Sequence, residues 1–288
     1  MVSRILMGKV MTKVLVNGQS SDQINIKDRG LNYGDGVFET IAVHNRQLHY
    51  WSDHYQRLSH GCASLGIKPP TQNELIADIK KLAFDSGSSV LKIVVTRGEG
   101  GRGYVAESHL KPTVILSLNS WPVYIKKYQQ KGIKLRLCQH RLVINPVLSG
   151  IKHLNRLDQV IARNEWHNEQ IQEGIMLDQD GYLIEGTSSN LFMKIENQWL
   201  TAPADSCAVA GVMRQAVINN AETLGVTIQQ KKVHHSELSS IQQMMVCNSI
   251  WGLIPVTDFE SYTYQTNDFC HQLQIKLENE REVVSYVV

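Results

Sequence analysis

A break in the pattern of strands and helices at Asn119-Ser120-Trp121-Pro122 divides this 288-residue sequence into two parts. The strand pattern of residues 113–118 stops there, and residues 131–137 then alternate polar and apolar side chains as a half-buried strand does. The chain is long enough for each part to bury its own core. We therefore predict a small N-terminal domain over residues 1–121, of which residues 1–10 are an extension, and a larger C-terminal domain over residues 122–288.

Strands flank two helices in the N-terminal part, and this order predicts a small α+β domain. Asn17-Gly18 is a tight-turn pair, because both positions tolerate positive φ. Thr71 has capping-box spacing to Glu74 ahead of an apolar helical line. The predicted elements are, in order, a strand at 14–16, a helix capped by Ser52 and ending at Gly66, a helix after Thr71, and strands at 90–96 and 113–118.

The C-terminal part predicts further sheet interrupted by helices. Asp180-Gly181 between two apolar runs indicates a hairpin, and Gly225 suits the left-handed position that closes a helix. The predicted elements are, in order, a strand at 131–137, an amphipathic helix at 155–167 with Leu154, Leu157, Val160 and Ile161 on one side, a hairpin at 175–185, strands at 191–195 and 199–201, a helix at 212–224 and a strand at 244–248.

Composition excludes several classes of protein. A formal net charge of +2 without a clustered basic face argues against nucleic acid and anionic membrane partners. No apolar stretch reaches the roughly twenty residues of a membrane span, and the first residues do not form a secretory signal. The five cysteines are scattered without CxxC spacing, and no histidine cluster has ligand spacing, so we predict no disulfide framework, no metal site and a reducing cytoplasm.

Lys152 is the residue whose surroundings most strongly suggest chemistry. It lies in the run Gly150-Ile151-Lys152-His153-Leu154 at a predicted junction between strand and helix. Burial disfavours the ammonium form of a lysine, and a neutral amine is what a Schiff base with an aldehyde cofactor requires. These residues alone are equally compatible with a surface lysine at a helix start.

Gly98-x-Gly100-x-x-Gly103 matches the dinucleotide-binding fingerprint, but a proline soon follows and leaves little room for the helix that would meet a pyrophosphate. We predict instead a loop on which Arg97 and Arg102 could bind a substrate carboxylate. Two solvated arginines are the alternative.

A phosphate site is suggested near a second glycine. Gly211 stands at the start of a predicted helix, where unpaired N–H groups and the helix dipole attract a phosphate. Ser249 at a strand end and Arg57 on the first helix could complete it. Glu185 at the end of the hairpin is either an exposed turn carboxylate or the partner of a pyridinium nitrogen.

Four separated stretches resemble the fold-type IV pyridoxal-phosphate enzymes, a family that includes D-amino-acid transaminases, branched-chain aminotransferases and aminodeoxychorismate lyases. The resemblance covers nearly the whole chain from about Met11. The stretches are Asp28-Arg29-Gly30-Leu31-Asn32-Tyr33-Gly34-Asp35-Gly36-Val37-Phe38-Glu39-Thr40, His54-Tyr55-Gln56-Arg57-Leu58, residues 150–156, and Glu185-Gly186-Thr187-Ser188-Ser189-Asn190-Leu191-Phe192. Residues 151–160, residues 97–104 and Cys247-Asn248 are most similar to the lyases.

The resemblance implies a fold, a cofactor and a reaction. The fold is the two-domain, α+β or α/β fold-type IV architecture, whose large domain contains a mixed sheet or pseudo-barrel. The cofactor is pyridoxal 5'-phosphate, and the reaction converts 4-amino-4-deoxychorismate to 4-aminobenzoate and pyruvate in folate biosynthesis. The resemblance also implies a cytoplasmic homodimer in which the small domain of one subunit closes the site of the other.

The resemblance further implies residue roles. Lys152 carries the cofactor and, with Thr40 beside the substrate, forms the catalytic pair. The remaining roles are Glu185 on the pyridine nitrogen, Arg57, Val212, Met213 and Ser249 around the phosphate, and Arg102 and Tyr104 on the substrate carboxylate.

Two alternatives stay open. Glu39 and the run Glu185-Gly186-Thr187 are transaminase-like, so an aminotransferase acting on D-amino acids or branched-chain amino acids would begin its reaction in the same way. A pyridoxal-phosphate carrier or regulatory protein without turnover is the other.

Overall fold

Two β-sheets organise the chain. The computed structural model describes residues 13–82, 84, 87–107, 109–266, 268–283 and 285–288, so the predicted extension at residues 1–10 lies outside the described part. The strands are β1 (Lys13–Val16), β2 (Gln19–Ser20), β3 (Gly36–His44), β4 (Gln47–Leu48), β5 (Ser88–Thr96), β6 (Thr113–Ser120), β7 (Ile133–Leu142), β8 (Glu173–Asp178), β9 (Tyr182–Gly186), β10 (Asn190–Ile195), β11 (Gln198–Thr201), β12 (Ile228–Gln230), β13 (Val233–His234), β14 (Gln243–Asn248), β15 (Gly252–Phe259), β16 (Tyr262–Thr263) and β17 (Tyr286–Val287).

Helices cover the sheets and connect them. The α-helices are α1 (Arg29–Tyr33), α2 (Trp51–Ser64), α3 (Gln72–Ile79), α4 (Ile125–Lys131), α5 (Leu157–Arg163), α6 (Val212–Thr223) and α7 (Asp268–Val283), and a 3-10 helix spans His235–Ser240. Of the helices in the described residues, none is long and apolar enough to cross a bilayer.

The first sheet has the strand order β17-β4-β3-β5-β6-β1-β2. Its buried residues form one apolar core with α2 and α3. The predicted hairpin is confirmed, because Asn17 (φ 51°) and Gly18 (φ 73°) both adopt positive φ between β1 and β2. The capping box is confirmed as well, since Thr71 accepts from the Glu74 amide and Glu74 accepts from the Thr71 amide.

The prediction that Ser52 caps α2 is wrong. The helix begins at Trp51, and Tyr50 occupies the cap position in a left-handed conformation (φ 53°) without a side-chain cap bond. Tertiary contacts hold this tyrosine, because its hydroxyl donates to Glu280 at 2.9 Å. Packing therefore decides the helix start in place of a local hydroxyl.

The second sheet closes on itself. Its strand order is β12-β11-β10-β14-β15-β7-β8-β9-β13, and an added pairing between β9 and β10 closes a ring of six strands. The ring is mixed, since β7 runs parallel to β8 and to β15 whereas the other pairs are antiparallel. The expected pseudo-barrel is thus confirmed, as is the hairpin at Gly181 (φ 87°) between β8 and β9.

Helix α5 is shorter than the predicted helix at 155–167. Leu154 donates its amide to Gly36 of β3, and Arg156 at the cap position has φ −117°, so helical geometry starts only at Leu157. Three apolar side chains of α5, those of Leu157, Val160 and Ile161, lie on the surface of the chain and are exposed by 74%, 51% and 50%. These side chains form the apolar face of an amphipathic helix, and the described part of the chain leaves this face exposed.

The chain leaves the first sheet for the second at the predicted break. Strand β6 ends at Ser120 and α4 begins at Ile125, while β17 returns to the first sheet by pairing with β4. We propose the boundary between the two domains at residues 121 and 122. The C-terminal strand β17 then lies in the sheet of the first domain.

Candidate active site

A cavity of about 1290 Å³ lies between the two sheets. The structure brings into its wall seven of the nine residues predicted for the site, namely Thr40, Arg57, Lys152, Glu185, Val212, Met213 and Ser249. Arg102 and Tyr104 do not line it, and Tyr104 is 88% exposed. Residues that are distant in sequence therefore share one concave site, as ligand sites generally require.

Lys152 lies on a segment held by β3 of the first sheet and by the loop that precedes α6. Gly150 pairs with the 208–210 segment, since its amide donates to Ala208 and its carbonyl accepts from Ala210. The carbonyl of Lys152 accepts from the Phe38 amide at 2.9 Å. The backbone around the lysine is consequently held between β3 and the 208–210 loop, and helix α5 begins only at Leu157.

The amine of Lys152 is poised to lose its proton. It lies 4.5 Å from the centre of the Phe38 ring. Burial, and then the positive charges of Arg57 and Arg156, lower the pKa of Lys152 to about 8. A substantial fraction of this amine is neutral near pH 8, as a nucleophilic lysine needs.

Glu185 faces the cavity from β9 in the opposite electrostatic situation. Its Oε2 accepts from the Val209 amide at 2.9 Å and from the Asn190 side chain at 3.3 Å. Burial raises the pKa of Glu185 to about 7, although the bond from the Val209 amide and the charges of Arg156 and Lys152 oppose the shift. It is a buried carboxyl suited to a cationic or N–H partner in the cavity.

Arg57 on α2 is held from behind by Glu39 of β3. Its Nε and Nη2 donate to the two oxygens of Glu39 at 2.8 and 2.6 Å, and Nη1 donates to the Ala210 carbonyl at 2.9 Å. Burial by itself would raise the pKa of Glu39, but Arg57 and then His54, 2.6 Å away, outweigh it and bring the pKa to about 2. This bidentate pair orients the guanidinium toward the start of α6.

Strand alternation explains why Glu39 and its neighbours have different roles. Phe38 and Thr40 project into the cavity, whereas Glu39 is 1% exposed and contacts α2 on the other face of β3. The transaminase-like Glu39 therefore supports Arg57, whereas Phe38 and Thr40 are the side chains of this strand that line the cavity.

The far end of the cavity collects hydrogen-bond donors. Val212 and Met213 form the first turn of α6, where N–H groups have no intrahelical carbonyl. Asn248 accepts from the amides of Ile250 and Trp251, which shapes the turn that carries Ser249. We predict that the helix start, the Ser249 hydroxyl and the Arg57 guanidinium together bind an anion.

Gly211 is required at this helix start for steric reasons. A Cβ atom here would lie 1.9 Å from Oδ1 of Asn190, the residue that bonds to Glu185. Because α6 approaches β10 so closely, the predicted anion site at the start of α6 lies near Glu185, with Asn190 between them.

The loop that carries Arg102 and Tyr104 is anchored by Arg29. The Arg29 guanidinium donates to the carbonyls of Gly103 and Tyr104 at 3.0 and 2.8 Å, and the ring of Tyr33 packs edge-on against Tyr104. No helix follows Gly103 in the described part of this loop, in agreement with the rejection of a dinucleotide site.

Two wall residues were missed by the sequence analysis. Glu173 is 1% exposed and accepts from the amides and hydroxyls of Thr187 and Ser188 and from the Ser189 hydroxyl, so it shapes the turn after Glu185. Arg156 donates to the carbonyls of Ile151 and His153 on either side of Lys152. The only sequence signal for Arg156 was its place in the Gly150 to Arg156 run, and Glu173 had none.

Metal binding has no support among the described residues. They contain no group of three histidine, cysteine or acidic side chains placed to hold an ion. The five cysteines, all within the described part of the chain, form no disulfide with one another.

Comparisons with known proteins identify the family. The family model for amino-transferase class IV matches residues 36–259. An aminodeoxychorismate lyase from Vibrio harveyi is 32% identical over 242 residues, covering 84% of this chain and 89% of that protein. A D-alanine aminotransferase from Bacillus licheniformis is 29% identical over 262 residues, covering 87% of this chain and 89% of that protein.

Solved structures agree in fold. The crystal structure of 4-amino-4-deoxychorismate lyase from Pseudomonas aeruginosa has a TM-score of 0.85 at 35% identity and covers 93% of this chain and 98% of that one. The branched-chain amino acid aminotransferase of Escherichia coli has a TM-score of 0.82 at 20% identity, covers 93% of this chain and 94% of that one, and shares the fold. The chain therefore belongs to the class IV aminotransferase family and has the fold-type IV architecture.

Proposed function

We propose that this protein is a pyridoxal-phosphate-dependent lyase that converts 4-amino-4-deoxychorismate to 4-aminobenzoate and pyruvate. The observation that carries the proposal is the pair of oppositely shifted groups in one cavity, the Lys152 amine and the Glu185 carboxyl. The similarity to two proteins named as aminodeoxychorismate lyases, at 32% and 35% identity, supports the choice of reaction.

The chemistry of the donor set fits pyridoxal phosphate. Lys152 offers a neutral amine to the aldehyde, and Glu185 offers a buried carboxyl to the ring nitrogen. The phosphate would be held by Arg57, by the start of α6 at Val212 and Met213, and by Ser249. Bound pyridoxal phosphate supplies an electron sink for the charge left when a C–H bond breaks.

Lys152 is the proton carrier of the proposed reaction. With a pKa of about 8, its free amine accepts the proton from the ring carbon that bears the substrate's amino group. The bond from the neighbouring ring carbon to the enolpyruvyl oxygen then breaks, and the Lys152 ammonium returns the proton to the departing group as pyruvate. One substrate gives 4-aminobenzoate and pyruvate without an oxidant or a second reactant, and aromatisation makes the step downhill.

Thr40 completes the catalytic assignment. Its side chain lines the cavity on the same face of β3 as Phe38, whose ring contacts the Lys152 amine. The hydroxyl is thus on the substrate side of the lysine, where it can donate to a polar group of the substrate.

A homodimer accounts for the two predicted residues outside the cavity. The loop bearing Arg102 and Tyr104 projects from its own chain, and the exposed Leu157, Val160 and Ile161 on α5 form an apolar face that a second copy would cover. In this arrangement the loop of one subunit reaches the cavity of the other and binds the substrate carboxylate.

Cellular context follows from the reaction and the cysteines. The product 4-aminobenzoate is a precursor in folate biosynthesis, and five cysteines without a disulfide suit a reducing cytoplasm. Cell fractionation that recovered the protein outside the cytoplasm would contradict this assignment.

Product analysis distinguishes the two enzymatic functions. Incubation of the holoenzyme with 4-amino-4-deoxychorismate should give equal amounts of 4-aminobenzoate and pyruvate. Incubation with D-alanine or leucine plus 2-oxoglutarate should give little glutamate. Glutamate without 4-aminobenzoate would replace the lyase assignment with an aminotransferase, the alternative supported by the D-alanine aminotransferase relative.

Borohydride reduction tests the tether. Reduction followed by peptide mapping should place the cofactor on Lys152, and Lys152→Ala should lower kcat by about 10⁴-fold or more, since both nucleophile and proton carrier are lost. Lys92→Ala is the matched control, because the Lys92 amine also lies over the Phe38 ring, at 5.4 Å, yet should leave the reducible bond intact. Wild-type behaviour of Lys152→Ala in every assay would favour a carrier protein over an enzyme.

A heterodimer tests the shared site. Arg102→Ala and Lys152→Ala subunits carrying different tags should be co-expressed and the mixed dimer purified through both tags. If the loop acts across the interface, one of the two sites is intact and about half of the wild-type activity per dimer is expected. Activity near zero, or a particle of one 32.5 kDa chain in sedimentation, would contradict the arrangement.

A further inference from the structure

Arg156 has a place in this site that none of the roles above includes. Its side chain lines the cavity, and its backbone lies between His153, which pairs with Val37 of β3, and the start of α5. Its Nε donates to the His153 carbonyl at 2.9 Å and its Nη2 donates to the Ile151 carbonyl at 3.1 Å. One guanidinium therefore bridges the carbonyls of the two residues on either side of Lys152.

The carbonyls of this segment show what the bridge contributes. The Gly150 carbonyl accepts from Ala210, and the Lys152 carbonyl accepts from Phe38. The two that remain, those of Ile151 and His153, accept from Arg156. Buried backbone carbonyls require partners, so Arg156 completes the set that holds the lysine segment in one conformation.

The same side chain places a fixed charge in the site. After burial and Arg57, Arg156 is a further cation that lowers the pKa of Lys152, while the charge of Glu185 attracts the Arg156 guanidinium. Arginine remains protonated in proteins, and its planar fork spans two acceptors that a lysine ammonium could not span with the same geometry.

We propose that Arg156 is a positioning residue that fixes the backbone on both sides of Lys152 and holds a permanent cation beside its amine. The proposal rests on the proposed role of Lys152 and deepens it. Arg156 acts through the lysine and need not touch the substrate.

Trace acetylation of the full-length protein without cofactor tests the charge. Acetic anhydride at pH 6 to 11, with quantification of the Lys152 peptide by mass spectrometry, reports the ionisation of this amine and needs neither substrate nor turnover. The charged groups that face it are Arg57 from α2, Glu39 from β3, Glu185 from β9 and Arg156.

The wild-type Lys152 should be half-reactive near pH 8. In Arg156→Met the curve should move to higher pH, and a pKa of Lys152 raised by about 1 would slow labelling at pH 7 by about tenfold. Arg136→Met is the matched control, because Arg136 also donates to backbone carbonyls, those of Leu137 and Glu165, but does not line this cavity, and its curve should coincide with the wild type. Coincidence of the Arg156→Met curve with the wild type would overturn the proposal.

A second variant, Arg156→Lys, separates the backbone bridge from the charge. It also keeps the proposal testable if Arg156→Met fails to fold. Arg156→Lys keeps a cation but loses the fork, so its acetylation curve should stay close to the wild type while kcat of the holoenzyme falls by about tenfold or more with little change in KM. Wild-type kcat in Arg156→Lys would overturn the bridging role. Absence of lyase activity in the wild type, with the acetylation results intact, would instead count against the proposed function.

Discussion

Glu39 on β3 and Glu185 on β9 are buried glutamates on two strands that contribute side chains to the cavity wall, and the two carboxyl groups are held in opposite ways. Glu39 in the first sheet is 1% exposed and has a pKa of about 2, whereas Glu185 in the second sheet is 4% exposed and has a pKa of about 7. Burial alone would raise both values. The difference comes from Arg57, which binds both oxygens of Glu39, while Glu185 has no such cation bonded to it among the described residues.

This contrast shows how one site separates support from chemistry. A carboxylate with a bidentate arginine is a finished structural pair. A carboxyl that is buried beside an open cavity has no charged partner until a ligand supplies one. Groups with shifted pKa values cluster at functional sites for this reason. Glu39 should therefore matter for stability and cofactor affinity, and Glu185 for catalysis.

Among the substitutions that test this contrast, Glu185→Gln should have the largest effect, and the effect should be on turnover. An amide cannot hold the ring nitrogen of the cofactor protonated, so kcat for 4-aminobenzoate formation should fall by about 10²- to 10³-fold. Cofactor affinity should change far less, because Arg57 and the α6 start are untouched. A Glu185→Gln variant with wild-type kcat would show that Glu185 does not contribute to catalysis.

Glu39→Gln should chiefly lower stability. Loss of the carboxylate leaves the Arg57 guanidinium, 12% exposed, without its partner, and breaking such a pair should lower the free energy of unfolding by about 3 kcal/mol. Cofactor affinity should weaken as Arg57 loses its orientation. Urea unfolding and a cofactor-binding titration measure the two effects, and an unchanged midpoint would show that the pair contributes little.

The pH dependence of stability should have opposite signs for the two residues. The pKa of Glu185 is raised from 4.5 to about 7, so cofactor-free wild type loses stability as pH rises through this interval, and Glu185→Gln should exceed it by about 2–3 kcal/mol at pH 8. The pKa of Glu39 is lowered from 4.5 to about 2, so its contribution is present above 4.5 and lost as pH falls to 2. Urea unfolding at pH 5 and pH 8 tests the first interval. A Glu185→Gln variant that gained nothing at pH 8 would contradict the unpaired burial of this carboxyl.

His54→Phe should have the smallest effect. The Nδ1 atom of His54 lies 2.6 Å from Glu39, but its buried Nε2 has no hydrogen-bond partner in the described structure. Phenylalanine removes the favourable contact together with the unpaired nitrogen, so the free energy of unfolding should fall by only about 1 kcal/mol. Cofactor affinity should remain at the wild-type level because the bidentate Arg57 contact persists. A loss of affinity as large as in Glu39→Gln would mean that the histidine, too, orients Arg57.

Local sequence signals predicted those elements whose cause is local. Asn17-Gly18, the Thr71 capping box and Gly181 each carry the chemistry of their own turn or cap, and all three are confirmed. The Ser52 cap failed because Tyr50 is held by Glu280, which is 230 residues away in sequence. Helix α5 began later than its periodicity indicated because residue 154 pairs with β3.

Site residues followed the same division. Lys152, Glu185, Arg57 and Ser249 belong to motifs that the family resemblance covers, and the structure gathers them in one cavity. Glu173 was not predicted, because its importance lies in hydrogen bonds to a turn that starts fourteen residues later. The roles of Arg102 and Tyr104 involve a second copy of the chain and stay predictions.

The sequence by itself determined the strand and turn order, the mixed α and β composition, the family and the identity of the lysine at its centre. These depend on patterns of neighbouring side chains and on motifs that can be read along the chain. Only the tertiary structure decided that Glu39 is paired with Arg57, that Glu185 is buried without a bonded cation among the described residues, and that Arg156 donates to the carbonyls on both sides of Lys152. The physical reason is that a pKa and a backbone conformation depend on burial and on the partners that folding brings together. Glu39 and Glu185 have the same side chain, so the difference between their pKa values comes from those surroundings.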